Sequence, residues 1–396
     1  MHPVFLFAGF FFFSIANNFL GPLVTNIMAS TGMSLSQSGS LVSFLQIGSL
    51  VAMLVSLFLM KRMRQVAVTR LGYGILIIAL LAIVVTTGSI LLLIFYFVIG
   101  FGSFLIDSGS NAILASDYYE KRELYIPLLH FCFSAGAIAT GYFILPFKGP
   151  AWRWAFGSVG IFIAMILLGG FLERRWRLKI QNNNNASPIS ISEVQAGPVL
   201  PLLKDTAFIL YTLVIMFYAG SQIICVTWIP VYMEIELFQP AAIIATSLSV
   251  FSIGTAVSRL LMGPIMQKGG KPLPLALGGL LLAGFALAAL PFTSNIALAL
   301  VLVTFCGFFA GATIPMYIVI TATWFPKNTA FISLSYLVSA TIGRMIFSLF
   351  VAQIAEVYNL NYALMISSLM LFVSAILIII VQKLTKERPV QSFVKN

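Results

Sequence analysis

The chain has 396 residues, of which 60% are hydrophobic and only 8% carry a formal charge. A soluble protein of this length would have about a quarter of its residues charged, so a soluble domain is excluded. The formal net charge of +11 does not indicate a nucleic-acid partner, because an excess of basic residues in so apolar a chain commonly sets membrane orientation. The composition therefore predicts an all-α membrane protein that contacts membrane lipid.

A helix needs roughly 20 mostly apolar residues to cross the hydrocarbon core of a bilayer. Apolar runs of this length, separated by charged or Pro- and Asn-rich breaks, predict twelve transmembrane helices. They cover residues 3–28, 36–60, 66–87, 89–116, 125–148, 151–172, 206–232, 240–267, 272–292, 294–321, 328–355 and 360–382. A β-barrel would instead give short segments of alternating hydrophobicity, and the sequence shows none.

The basic residues are distributed asymmetrically along the predicted spans. Of the 22 Lys and Arg residues, only Lys148 and Arg153 fall in connections on the predicted outer side, and Arg259 and Arg344 fall within spans. The others fall in the alternate connections and the tail, where positive charge marks the cytoplasmic side. We therefore expect a multi-pass protein of the cell (inner) membrane with both termini in the cytoplasm. The first span lacks a basic n-region, so we interpret it as retained.

The longest connection divides the spans into two similar halves. It predicts an N-terminal six-helix bundle at 1–172, a cytoplasmic linker at 173–205 and a C-terminal six-helix bundle with a short tail at 206–396. The halves correspond in their short basic loops, since MKRMRQ at 60–65 matches MQKGGK at 266–271. Two pseudo-symmetric six-helix halves that begin on the same side predict the major facilitator fold.

The predicted span at 89–116 contains an acidic residue deep in the membrane. Of the 11 Asp and Glu residues, the others fall in connections or near helix ends, whereas Asp107 falls well inside this span. An ionisable residue at such depth is energetically expensive and indicates a functional site. Ser103, Asp107 and Asn111 follow at four-residue intervals and therefore share one helix face. We expect Asp107 to carry a proton; the alternative is a hydrogen-bonded structural carboxyl.

Other polar side chains within the spans are candidate substrate ligands or, alternatively, groups that join helices by hydrogen bonds. His130 is expected at a depth close to that of Asn111, so we assign it both a proton-coupling and a substrate-binding role. Amides supply paired donors and acceptors, and together with aromatic rings they suit a polyhydroxylated solute. The candidate substrate-binding residues are Asn17, Asn18, Gln46, Asn111, His130, Tyr218, Gln222, Trp228 and Arg344.

Two arginines and three cysteines complete the unusual residues of the spans. Arg259 is expected near the cytoplasmic end of its span, where it can extend to the membrane surface in a structural role. Arg344 is expected near the middle of its span, where it either binds an anionic substrate or hydrogen-bonds backbone carbonyls. The cysteines form no metal-binding or redox motif, so we interpret them as small packing residues and expect no metal.

At these residues the chain resembles the fucose–galactose–proton symporter family. The fourth span of that family combines a Gly-rich start, an acidic residue and Asn four positions later; GFGSFLIDSGSN matches, with Asp107 in place of Glu. The fifth span has a polar residue before a Gly-Ala step, as in PLLHFCFSAGA with His130. Further matches are Ala16, Asn17 and Asn18 in the first span, Tyr218, Gly220, Ser221 and Gln222 in the seventh, and Pro315 in the tenth.

The resemblance implies proton-coupled sugar uptake, with Asp107 as the protonation site. It also implies that the sugar is surrounded by Asn18, Gln46, Asn111, His130, Tyr218 and Gln222. The family member that the chain most resembles has a second carboxylate three residues after its paired asparagines, where this chain has Gly21. Arg344 is also outside the family pattern.

The expected function is therefore secondary active transport of a sugar or a related small polar solute, by a monomer and by alternating access. The chain has no G-x-x-x-x-G-K-[ST] loop for a nucleotide, so a proton gradient is the expected driving force and no cofactor is expected. A proton-driven exporter of small molecules and an organic-anion or sugar-phosphate carrier built around Arg344 are the alternatives. A membrane enzyme is disfavoured, because the sequence has no nucleophile motif.

Overall fold

The computed structural model describes residues 2–118, 121–180, 200–268, 270–325 and 328–385. Within these ranges the secondary structure is helical and no strand occurs. The α-helices are α1 Pro3–Asn17, α2 Leu20–Thr31, α3 Leu35–Arg62, α4 Gln65–Val85, α5 Ser89–Ser116, α6 Arg122–Phe143, α7 Trp152–Ile180, α8 Leu200–Lys204, α9 Thr206–Ile235, α10 Ala241–Gln267, α11 Pro272–Ala289, α12 Ile296–Ala310, α13 Thr313–Trp324, α14 Thr329–Val357 and α15 Leu360–Leu384.

The described helices confirm the predicted fold class. Eleven segments are long and apolar enough to cross a membrane, and the bent pair α1 and α2 makes a twelfth if it is counted as one span. Helix α7 continues past residue 172 to Ile180, because the Glu, Arg, Leu and Lys residues that follow favour helix. The rest of the predicted linker up to residue 199 and the tail from residue 386 lie outside the described residues.

The helices pack into two compact units. The first unit contains α1, α2, most of α3 and α4 to α7. The second contains α8 to α15 together with Ser34–Ser43, which includes the first turns of α3. Helix α3 therefore contributes residues to both units.

A close helix crossing in the first unit positions α5, which carries Asp107. A Cβ atom at Gly100 of α5 would overlap the backbone carbonyl of Leu45 in α3, and one at Gly48 would overlap that of Phe97. The Ser49 hydroxyl donates a hydrogen bond of 3.1 Å to the carbonyl oxygen of Gly100. Small residues at such crossings allow membrane helices to approach at backbone distance, so α5 is held directly against α3.

The first span differs from the continuous helix predicted at 3–28. It is broken between α1 and α2, which meet at an angle of 48°. Pro22 explains the break, because a proline ring clashes with the carbonyl four residues earlier, here that of Asn18. The side-chain amides of Asn17 and Asn18 donate to the carbonyl oxygens of Phe13 and Ser14, at 2.9 and 2.8 Å. The two asparagines thus satisfy carbonyl groups in the last turn of α1.

In the second unit the tenth span is also interrupted. Helix α12 ends at Ala310 and α13 begins at Thr313. Gly311 at this interruption lies against the backbone of Thr255 in α10. The Arg259 Nε donates a hydrogen bond of 3.2 Å to the carbonyl oxygen of Gly311. Arg259 therefore contacts a backbone carbonyl at the interrupted span, and its structural role at the membrane surface stays a prediction.

The first turns of α3 are fixed to α14 within the second unit. One Glu356 oxygen, Oε2, accepts hydrogen bonds from the Ser34 hydroxyl at 2.7 Å and from the Ser36 backbone N–H at 2.6 Å. Further along, the Ser43 hydroxyl donates to the carbonyl oxygen of Met345 at 2.8 Å. A carboxylate at a helix N-terminus is favourable, because the exposed N–H groups and the helix dipole attract negative charge.

Candidate functional site

The first cluster of functional candidates lies on α5 and is centred on Asp107. The Asn111 amide Nδ2 donates to the Asp107 carboxylate oxygen Oδ1 at 3.0 Å and to the Asp107 carbonyl oxygen at 2.9 Å. Both side chains are half-buried. The four-residue spacing thus places the carboxylate and the amide on one helix face in direct contact, as the sequence predicts.

The same face of α5 continues to Ser103, which is joined to the first span. The Asn17 amide Nδ2 donates to the Ser103 hydroxyl at 3.1 Å. The distance from the Ser103 hydroxyl to Asn17 Oδ1 is 3.2 Å, so the two side chains can exchange hydrogen bonds. Asn17 is the last residue of α1, so this contact fixes the break in the first span against the helix that carries Asp107.

His130 and Gln46 are the other candidates of the first unit. The His130 side chain is exposed, and its ring lies edge-on to Phe10 at 6.2 Å between centroids. Gln46 is buried in α3, with 6% of its surface exposed. The proton-coupling role of His130 and the substrate-binding roles of both residues stay predictions.

The second cluster lies in the second unit, around a cleft between α9, α10, α12 and α15. The space open to a water molecule inside it is small, about 10 Å³. It brings together Tyr218 and Gln222, which the sequence pairs by their four-residue spacing on α9. The lining consists of Tyr218, Ser221, Gln222, Cys225, Phe251, Thr255, Cys306, Gly307, Ala310, Gly311 and Leu371.

Tyr218 contributes a buried hydroxyl group to this cleft. The residue is 1% exposed, and the Arg259 side chain lies close enough to its hydroxyl to be a hydrogen-bond partner. A buried hydroxyl costs free energy unless it is paired, so this arginine is positioned to stabilise it.

Trp228 is not among the residues that line the cleft. It is fully buried, and its indole N–H has no hydrogen-bond partner in the described structure. Its ring lies beside Gly39, in the segment of α3 that belongs to the second unit. Its predicted contact with the substrate is therefore untested, and its position is that of a packing residue.

The cleft also contains residues that the sequence reading treated as packing groups. Cys225 and Cys306 line it, and their thiol groups lie close to each other. Cys225 could have been found from sequence, because it follows Gln222 by three positions on the same face of α9. Cys306 could not, because it comes from another helix. Among the described residues, no three His, Cys, Asp or Glu side chains are arranged to hold a metal ion.

Apolar helical spans in two compact units, with polar side chains inside several spans, define a polytopic membrane protein. The chain belongs to the Major Facilitator Superfamily, whose family model matches residues 6–317 and 238–395. Members of this superfamily are transporters, so the chain is a transporter and not an enzyme. A comparison with curated protein sequences gives no match.

Solved structures of other transporters share the fold over almost the whole chain. A bacterial homologue of the human lysosomal transporter Spinster, in an inward-facing and occupied conformation, has 16% identity and a TM-score of 0.75, covering 96% of both chains. A D-xylose–proton symporter has 12% identity and a TM-score of 0.72, covering 99% of this chain and 98% of its own. A point mutant of the nucleoside transporter NupG has 12% identity and a TM-score of 0.75, covering 96% and 99%. At these identities the likeness concerns the fold alone.

Proposed function

We propose that the protein is a secondary active transporter that couples uptake of a small polar solute, of the sugar type, to proton entry across the cell membrane. The observation that carries this proposal is the contact between Asp107 and Asn111 inside a membrane-spanning helix. A carboxylate at this depth is costly when charged. Protonation removes that charge, so the carboxyl can alternate between two states as the proton gradient is dissipated.

The surroundings of Asp107 support a coupling role. Asn111 is hydrogen-bonded to the carboxylate, and Ser103 lies one turn earlier in contact with Asn17 at the broken first span. Interrupted spans in transporters commonly accompany substrate and ion sites. The face of α5 that carries Asp107 therefore also contacts the break between α1 and α2, through Ser103. A change of charge at Asp107 occurs one helical turn from that contact.

The cleft of the second unit favours a polar solute over an apolar cation. Its lining includes Ser221, Gln222 and Thr255 and small residues, with Phe251 and Tyr218 as the aromatic members. A site for apolar cations would need more aromatic faces, since these attract cations and apolar groups. Binding of solute and proton is then linked, because each changes the affinity for the other by the same factor.

Proton flux in proteoliposomes tests the proposal. A pH-sensitive dye inside the vesicles would report acidification on addition of neutral sugars, sugar acids, sugar phosphates or lipophilic cations. We expect a sugar-type solute to cause acidification in the wild-type protein and not in Asp107→Asn. The matched control is Asp117→Asn, which makes the same substitution at an exposed position at the end of α5, and it should keep wild-type flux.

Two results would contradict the proposal. Undiminished proton flux in Asp107→Asn would remove that residue from the coupling site. Proton movement with lipophilic cations and none with polar solutes would identify a proton-driven exporter instead.

A further inference from the structure

We propose that the second unit binds a soft, two-coordinate metal ion, Cu(I) or the chemically similar Ag(I), between the thiol groups of Cys225 and Cys306. The proposal goes beyond the transport function and does not rest on it. Four features of the cleft carry it: the meeting of two thiols from different helices, the size of the space beside them, the number of ligands and the positive charge at the cleft wall.

Helix packing brings the two thiol groups together. Cys225 lies on α9 and Cys306 on α12, and both line the cleft. They are 2% and 1% exposed, neither is in a disulfide, and their thiol groups lie close to each other. Thiolates are the preferred ligands of soft metal ions, so two of them from neighbouring helices can hold one such ion. Their separation in the chain hides this pair from a search for metal-binding motifs.

The space in the cleft fits an ion and excludes a larger solute. About 10 Å³ is open to a water molecule, which is about the volume that one water molecule needs. A bare metal ion is no larger than this, whereas a sugar ring is several times larger. Apolar side chains such as Phe251 and Leu371 form part of the wall, and an apolar shell restricts the access of water to a bound ion.

The number of ligands selects the metal. In the described part of the chain, no three His, Cys, Asp or Glu side chains are arranged around one position. Zn(II) takes three or four protein ligands, and iron–sulfur clusters take four, so two thiols suit neither. Cu(I) and Ag(I) are soft ions that form linear complexes with two thiolates, and they therefore match the pair.

The charge at the cleft wall also favours a monovalent ion. One Cu(I) with two thiolates carries one net negative charge, and burial of a charge is costly unless it is paired. Arg259 donates through Nε to Gly311 at 3.2 Å, and Gly311 lines the same cleft, so the guanidinium group lies at that wall. The Tyr218 hydroxyl interacts electrostatically with both Arg259 and Cys306. The arginine is therefore positioned to balance the charge of the complex.

Binding replaces the two thiol protons by the metal ion. Both protons leave to water as the two sulfur–metal bonds form, and no group changes its oxidation state. The affinity should therefore increase with pH, because the metal competes with protons for the sulfur atoms.

Competition with a chelator tests the proposal. The probe is Cu(I) in its coloured complex with bathocuproine disulfonate, added without oxygen to the reduced, purified chain that carries no histidine tag. We expect the chain to take up one equivalent of Cu(I) and to bleach the complex accordingly. Cys225→Ser and Cys306→Ser should each weaken binding more than about 100-fold, since loss of an outer partner of a metal site can alone cost that much. Cys132→Ser, which removes the thiol on α6 in the first unit, is the control and should bind like the wild type.

The role of Arg259 has a separate test. Hg(II) with two thiolates is a neutral complex, so its affinity should not depend on the charge of the arginine. We expect Arg259→Gln to weaken Cu(I) binding about 10- to 100-fold and to leave Hg(II) binding, measured in competition with glutathione, unchanged. Arg259→Lys should recover part of the Cu(I) affinity because it keeps the charge. Equal weakening of both ions would remove the arginine from the site.

Three results would overturn the proposal: no uptake of Cu(I) by the wild type, unchanged affinity in either cysteine variant, and loss of binding in Cys132→Ser. Cys225→Ala and Cys306→Ala repeat the test with an apolar residue if a serine variant fails to fold. Failure of the proposed transport function is a separate result, because Cu(I) uptake is measured on the purified chain without a proton gradient.

Discussion

The paired hydrogen bonds between Asn17 and Ser103 join two spans that are far apart in the chain. Ser103→Ala would leave the Asn17 amide with its bond to Phe13 and without its partner on α5. We expect this variant to lose about 1 kcal/mol of stability, the net contribution of a typical hydrogen bond.

Thermal unfolding in detergent measures this loss. The control is Ser158→Ala, because the Ser158 hydroxyl donates to a carbonyl of its own helix, that of Ala155. An equal decrease of the unfolding temperature in both variants would show that the hydrogen bond between the spans contributes no more stability than a serine bonded within its own helix.

A second prediction for a single residue concerns Gln222. The side chain is half-buried and lines the cleft beside Tyr218. We expect Gln222→Ala to weaken substrate binding about tenfold, since it removes a donor and an acceptor from the site, and to leave the unfolding temperature unchanged. Gln239→Ala, which alters an amide in the connection after α9, is the control. Unchanged affinity in Gln222→Ala would remove this residue from the site.

Sequence reasoning at the residue scale succeeds where partners lie within one helix. Asp107 and Asn111 are predictable, because a four-residue spacing on a helix puts side chains in contact. The pairing of Asn17 with Ser103 is not, because it depends on how α1 packs against α5. The contact of Arg259 with Gly311 is unpredictable for the same reason.

Among the helices, the bend between α1 and α2 follows from one residue. The hydropathy of residues 3–28 is continuous, so an apolar-run criterion predicts one straight span. Pro22 indicates the break that hydropathy does not, because its ring excludes the helical position of the Asn18 carbonyl. The break was therefore predictable from sequence once that clash is considered.

Pro22→Ala should straighten this span. A 26-residue helix with a 48° bend is about 3 Å shorter from end to end than a straight one, at 1.5 Å per residue. Spin labels at the exposed positions Val4 and Ala29 would measure the increase in a variant without native cysteines. The same labels in Pro264→Ala, a substitution in α10 of the other unit, should give the wild-type distance. No lengthening in Pro22→Ala would mean that packing imposes the bend.

Two acidic residues of the second unit accept hydrogen bonds at the starts of helices in the same way. Glu356 accepts from the Ser36 N–H at the start of α3, and Glu236 accepts from the Leu360 N–H at 3.1 Å at the start of α15. We expect Glu356→Ala to speed hydrogen–deuterium exchange in the first turn of α3 about fivefold or more, since a lost cap costs about 1 kcal/mol. Glu236→Ala should do so in the first turn of α15 and leave α3 unchanged. Faster exchange at both helices in either variant would indicate general loosening instead.

At the scale of the whole molecule, composition and hydropathy suffice to predict the fold class. Each span must satisfy its backbone hydrogen bonds internally, so long apolar runs have essentially one solution and their number can be counted. The assignment of Ser34–Ser43 to the second unit was not predictable, because it depends on side-chain contacts such as Ser43 with Met345 and not on hydropathy.

The orientation of the whole chain is a prediction of the charge distribution. We expect a fluorescent protein fused after residue 385 to fluoresce in a bacterial host, since it matures in the cytoplasm. Alkaline phosphatase fused after Lys148 should be active, because it folds outside. The reverse pattern would overturn the orientation that the basic connections predict.

The thiol groups of Cys225 and Cys306 are reactive groups in the cleft that can be labelled chemically. Both residues line it and are at most 2% exposed, so a small uncharged maleimide can react only when it enters the cleft. In a Cys132→Ser background these two thiols are the remaining ones, as the chain has three cysteines. The rate of alkylation then reports how often the cleft opens, and a bound solute should slow it. A solute that slows the alkylation is thereby identified as a ligand of the cleft, without a transport assay.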